Sequence, residues 1–239
     1  MGLKGSAFLA IWHDIAEGGH EAYIEWHTRE HMPERLSIPG FRTGKRLHAP
    51  QAPRYVFGTI YAADDVEVFR SDAYLQRLNH PTPWTAEIAP SFQNFLRVAC
   101  DRVATAGTGD GGCMATIRFD FVEAGSDAAL RQAAQSLVDA VHALPGVACV
   151  HLGIARSEVS GVRTRETELR SAMAERGFDA VLLVEGASQV GLEAALPEAQ
   201  RLAFATGVLS TPRVDIYETA FSLTSEDMQG YHRLPARQR

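Results

Sequence analysis

Cysteine is scarce in this sequence: three residues in 239, Cys100, Cys113 and Cys149, with no CxxC pair. An odd, scattered set cannot build a disulfide framework and lacks the spacing of a zinc knuckle. It fits a reducing compartment, so a cytoplasmic location is expected. Long apolar runs are missing as well. No stretch approaches the ~20 consecutive apolar residues of a membrane helix. The first fourteen residues, ending Trp12-His13-Asp14, lack a small-residue cleavage site and read as a strand, not a signal peptide. Basic runs are also absent. With 23 Lys and Arg against 29 Asp and Glu, net charge −6, the chain has no footprint for a phosphate backbone; neither nucleic acid nor a membrane is an expected partner. There is no P-loop, no GxGxxG after a strand and no GxSxG.

What is present is ordinary for a globular protein: 46% hydrophobic and 22% charged residues. The length favours two small domains. The one glycine-rich stretch, Ala104 to Gly112, is a natural linker. The same order of elements reads on either side of it. In the first half, strand-like Ser6–Asp14 precedes a helical His20–Ser37. Strands at Gly40–Ala49 and Arg54–Ala62 follow, then a helix from Asp64 to Leu78 capped by Asp64 or Asp65, then a strand at Ser91–Arg102. In the second half, strand Met114–Glu123 precedes helix Ser126–Ala143, with Leu130, Ala134, Leu137 and Val141 on one stripe. Strands at Val147–Arg156 and Asp179–Glu185, a helix at Gln189–Ala205 interrupted by Pro197, and a strand at Arg213–Leu223 complete it.

The punctuation repeats too. Ile38-Pro39-Gly40-Phe41 follows the first helix of one half, and Leu144-Pro145-Gly146-Val147 that of the other. A shared apolar-Pro-Gly-apolar step in a shared element order indicates internal duplication. The order β-α-β-β-α-β is the ferredoxin-like split βαβ, whose sheet is left with one uncovered apolar face. The expected fold is therefore α+β: two ferredoxin-like units with antiparallel sheets packed face to face as a single-chain α/β barrel. Residues 1–106 form the first unit, 107–112 the linker, 113–223 the second unit and 224–239 a polar tail. Any homodimer would then use a helix face or the tail, not a sheet.

Residues Trp26-His27-Thr28-Arg29-Glu30-His31-Met32-Pro33-Glu34-Arg35-Leu36, followed by Ile38-Pro39-Gly40-Phe41, resemble the first helix of EthD-like proteins. These belong to the dimeric α/β-barrel superfamily, in which a W…H.P.…PGF pattern recurs. The resemblance is sharp over residues 20–41; topology extends it over both halves, without a W…H.P pattern in the second. It implies the fold, with one chain replacing two. It leaves the chemistry open, because relatives include cofactor-free monooxygenases, isomerases, cyclases, dehydratases and haem enzymes. It also implies that His31 lies beside a pocket between helix and sheet.

Six of the nine His and all three Trp fall in the first half, so the site is expected there, with the second half mainly completing the barrel. His31 is the candidate acid/base, since an imidazole near pH 7 can donate, accept or shuttle a proton. Trp12, His13, His27, Arg46, Tyr61 and Trp84 are the candidate substrate-binding residues: aromatic walls, with Arg46 placed to hold a carboxylate or enolate. The stretch Asn79-His80-Pro81-Thr82-Pro83-Trp84 reads as a stiff aromatic loop, either a lid or a plug for the barrel end. His27 to His31 also matches H-x-x-E-H, in which two imidazoles one turn apart grip zinc. Pro33 bends or ends that helix, and Trp26, Met32 and Leu36 suit packing on a sheet, so no metal ligand is assigned.

Three readings follow. The first is a small-molecule enzyme without a cofactor, of lyase, isomerase or monooxygenase type, acting on an aromatic or carbonyl-bearing metabolite. The second is a non-catalytic ligand-binding barrel. The third is a haem-binding barrel, since His is a common axial ligand.

Overall fold

The computed structural model describes residues 2–160, 163–170 and 177–229. Eight strands close into one antiparallel barrel. They are β1 (Ala7–Ile15), β2 (Phe41–His48), β3 (Phe57–Ala63), β4 (Phe92–Gly107), β5 (Cys113–Phe119), β6 (Val147–Ala155), β7 (Ala180–Gly186) and β8 (Arg213–Thr224). Around the barrel the order is β1-β3-β2-β8-β5-β7-β6-β4. Each half alone supplies the ferredoxin-like order, β4-β1-β3-β2 and β8-β5-β7-β6. Its two edge strands pair with those of the other half, β2 with β8 and β4 with β6. Closure leaves no strand edge open.

The helices cover the outside. In the first half α1 (His20–Trp26) runs through a π-helical turn, His27–His31, into α2 (Met32–Leu36). Pro33 has no N–H to give the preceding turn, and the Met32 amide reaches back to the His27 carbonyl instead. The wider turn absorbs the proline without ending the helix, as π-bulges do. A 3₁₀ turn at Val66–Arg70, capped by the Asp65 carboxylate, leads to α3 (Asp72–Asn79). The expected aromatic loop is partly helical: Thr82 caps α4 (Pro83–Ile88) through the Thr85 amide. The second half has α5 (Ser126–His142), short α6 (Ser157–Ser160) and α7 (Arg165–Glu168), and α8 (Gln189–Phe204), which continues through Pro197. Both Pro-Gly steps place glycine at positive φ, +93° at Gly40 and +85° at Gly146. These are left-handed turns that side chains resist.

Alternation divides every strand between two environments. On β1, Phe8, Ala10 and Trp12 enter the barrel interior, whereas Leu9, Ile11 and His13 face the helices. The second helix–sheet layer is aliphatic, built from Leu130, Ala134, Val138, Leu152, Leu182 and Val184. The first is aromatic, with Tyr23, Trp26, Phe57, Phe92 and Phe95. The linker is shorter than its glycines suggest, because β4 runs on to Gly107 and β5 begins at Cys113. The polar tail from residue 230 on lies outside the described residues. No helix among them is long and apolar enough to cross a membrane.

Candidate active site

The π-helical turn, α1 and the helix-facing side of β1, β3 and β4 enclose a cavity of about 30 Å³. Ile11, His13, Tyr23, Trp26, His27, His31, Thr59, Tyr61, Phe92, Phe95 and Arg170 line it. Four of the expected residues, His13, His27, His31 and Tyr61, are therefore brought together. Space of this size admits water, whereas a benzene-sized guest occupies a cavity of roughly 150 Å³. As the side chains stand, it admits neither a porphyrin nor a single aromatic ring.

The imidazoles are buried and neutral. Burial lowers the pKa of His13 to about 3. Burial lowers His27 and His31 well below the ordinary histidine value, with His31 and Arg46 adding to the effect at His27, and Arg35 and Arg170 at His31. His13 Nε2 lies 3.0 Å from the Tyr23 hydroxyl, and its Nδ1 3.3 Å from the Asp14 carbonyl. The carbonyl can only accept, so Nδ1 carries the proton and Tyr23 donates to Nε2. Tyr61 lies 3.5 Å from His27 Nε2. Burial raises both phenols, keeping them protonated. The Nδ1 atoms of His27 and His31 are buried without a hydrogen-bond partner. Their rings stand 5.5 Å apart, and His31 packs on Trp26 at 4.3 Å. Two unsatisfied buried imidazole nitrogens cost on the order of 1–3 kcal/mol each. A polar group that reaches either nitrogen offsets that cost.

Arg170 was not legible in the sequence, and it comes from the second half. The segment 163–170 packs on the first half, where the Arg165 amide donates to Asn79 Oδ1 at 3.2 Å. It delivers Glu166, whose carboxylate is 2.5 Å from Arg35 and 2.7 Å from Arg170. These opposite charges hold Glu166 below the usual carboxylate range against its burial. The Arg170 guanidinium lies 4.0 Å from the Phe95 ring centroid, at the cavity wall. The second half thus contributes a site residue besides closing the barrel.

Three expected residues lie elsewhere. Trp12 points into the barrel, opposite His13, where its Nε1 donates to Thr116 at 3.3 Å and Arg118 lies 5.0 Å from its ring. Strand alternation forbids neighbouring residues from sharing a face. Arg46 faces the helices but is spent on the Ile24 carbonyl and the Thr28 hydroxyl, 3.2 and 2.6 Å away. It holds α1 to β2 behind the cavity wall. Trp84 packs on the aromatic layer from α4 without lining the cavity. Nor does the H-x-x-E-H pattern converge. The Glu30 carboxylate accepts from Thr82 and Thr85. Among the described residues His27 and His31 find no third ligand.

The architecture defines a single-chain α/β barrel of two ferredoxin-like units. No protein-family model and no curated protein sequence matches the chain. Solved structures do match. An anthrone oxidase-like protein superposes with a TM-score of 0.65 at 12% identity, over 98% of this chain and 97% of its own. A protein from Lactobacillus acidophilus described as a monooxygenase gives 0.57 at 11%, over 93% and 97%. Chlorite dismutase from Candidatus Nitrospira defluvii gives 0.53 at 9%, over 95% of each chain. These likenesses establish a shared ferredoxin-like barrel fold.

Proposed function

We propose that the protein is a small-molecule oxidase or monooxygenase that needs no cofactor and takes a proton from an aromatic, enolisable substrate at His31. The observation that carries this reading is the buried, neutral His31 with an unpartnered Nδ1 in the wall of an aromatic cavity. A neutral imidazole is already the base form at neutral pH. Deprotonation leaves an enolate or phenolate, and the Arg170 guanidinium in the same wall offsets that charge. Tyr61 and His27 supply further polar groups for the substrate oxygen.

An anthrone-type methylene, flanked by aryl rings and conjugated with a carbonyl, suits this chemistry. Loss of its proton gives an electron-rich carbanion that dioxygen attacks. The hydroperoxide formed then loses water, and the balance is R₂CH₂ + O₂ → R₂C=O + H₂O. The anthrone oxidase-like and monooxygenase structures of the same fold support the reading, as does the EthD-like pattern around His31. Because the cavity is smaller than one aromatic ring, its side chains must give way on binding, Arg170 at the wall among them.

The test is oxygen consumption with anthrone-type and polyphenolic substrates, for wild type, His31→Ala and His31→Gln. Turnover in wild type and loss in both variants are expected, with stability within about 1–2 kcal/mol of wild type. Equal turnover in His31→Ala would remove His31 from the chemistry. Tight binding of the panel without oxygen uptake would favour a ligand-binding barrel.

A further inference from the structure

A second cluster sits at one end of the barrel interior, away from the cavity. On β6, Cys149 and His151 are two residues apart and share the inward face; Glu185 on β7 is the register partner of Cys149. Alternation and register thus bring a thiol, an imidazole and a carboxylate to one place. One atom from each lies within 4.8 Å of the others, and all three residues are buried. We propose that Cys149, His151 and Glu185 bind a zinc-type divalent ion, beneath the glycine-rich connection between β4 and β5.

The donor set is that of zinc: sulfur, nitrogen and oxygen, with a fourth position left for water. Tetrahedral zinc holds such atoms about 3.3–3.8 Å apart, so the cluster needs a contraction of no more than roughly 1–1.5 Å. His151 gives the independent sign of a ligand. Its Nε2 is buried, has no hydrogen-bond partner and lies 3.8 Å from Glu185 Oε1. Its Nδ1 is 2.7 Å from the Thr105 hydroxyl. With Nδ1–H donating to Thr105, the free lone pair is on Nε2, the arrangement usual for a metal-bound imidazole. Glu185 keeps room for an ion. Lys45 lies 2.7 Å from both carboxylate oxygens and the Gly111 amide 2.8 Å from Oε2. Oε1 therefore retains an acceptor site on the His151 side.

The connection is fitted to this cluster more closely than a passive linker requires. The Cys149 thiol points at the Gly109 carbonyl, 3.6 Å away. A Cβ at Gly111 would fall 2.6 Å from the Gly186 backbone and 2.9 Å from Glu185 Cβ. At Gly107, with φ +82°, it would run into the Ala148 carbonyl and lie 2.8 Å from Cys149 Cα. Glycine is what lets the backbone lie directly over the three ligands. Asp110, half-exposed and 2.7 Å from Lys45, marks the side from which an ion enters.

The test uses purified, metal-stripped full-length protein titrated with Zn²⁺ and, as a spectroscopic probe, Co²⁺. One ion per chain, a thiolate-to-cobalt charge-transfer band, and a higher melting temperature with Zn²⁺ are expected. Cys149→Ala and His151→Ala should lose the bound ion, and Thr105→Val should weaken affinity about tenfold. His31→Ala should bind as wild type does. Wild type that binds no stoichiometric Co²⁺, or binds it without the charge-transfer band, overturns the proposal whatever the variants do. So does retention of the ion in folded Cys149→Ala, with folding checked by circular dichroism, or its loss in His31→Ala.

Discussion

The ammonium of Lys45 lies 2.7 Å from both carboxylate oxygens of Glu185, a residue 140 positions away. The pair joins β2 of one half to β7 of the other through the barrel interior. Burial is the largest influence on Lys45 and opposes its charge, but Glu185 and Asp110 together outweigh it and raise the pKa of Lys45. Removing only the cation strands a carboxylate that is fully shielded from water. Lys45→Met should cost about 3–5 kcal/mol in urea unfolding. Lys45→Met with Glu185→Leu should recover most of it, since no charge is then left unpaired. A single variant as stable as wild type would mean that water reaches Glu185.

Acid should unfold the protein early. His13, His27 and His31 have folded-state pKa values below the unfolded value of 6.5, chiefly through burial. Above pH 6.5 both states are neutral and their contribution is complete. Below it the unfolded chain takes up protons that the folded chain refuses, so stability falls as pH drops from 6.5 towards the folded value, about 3 for His13. Each histidine then contributes a loss of about 1.4 kcal/mol per pH unit, or roughly 4 for the three together. Denaturant titrations at pH 7.5, 6 and 5 should show this slope, and His13→Gln should reduce it. A flat profile between pH 7.5 and 5 would mean that these rings are hydrated.

Much of the fold is legible because its signals are local. Alternation, the two Pro-Gly turns and the Asp65 cap each act within a few residues. Where the sequence misleads, the determinant is tertiary. The segment carrying Glu166 and Arg170 has no period of its own and belongs to no βαββαβ element. Only its packing on α3 brings Arg170 to the cavity. Cys149 and His151 are visible as an inward pair, yet the third ligand depends on the β6–β7 register, which no local pattern sets. Trp12 differs in kind: the period of two already places it on the face of β1 opposite His13.

That opposition sets apart two kinds of loss. Tyr23→Phe removes the hydroxyl that His13 Nε2 faces at 3.0 Å and leaves a buried acceptor unpaired. It should cost about 1–3 kcal/mol and also alter substrate binding, because both residues line the cavity.

Trp12→Phe should act on stability alone. The indole is buried in the barrel interior, stacks edge-on against Phe178 at 5.4 Å, and anchors Thr116 of the second half. Phenylalanine keeps an aromatic ring but gives up the Nε1 donor and the area of the second ring. A loss of about 1–3 kcal/mol is expected from the smaller side chain and the lost Trp12–Thr116 hydrogen bond. Substrate affinity and turnover per folded molecule should stay at the wild-type level, since the side chain points away from the cavity on the far face of β1. Calorimetry and oxygen consumption on the same sample separate the two effects. A Trp12→Phe protein that melts like wild type but turns over slowly would place the reaction inside the barrel, and His31 outside it.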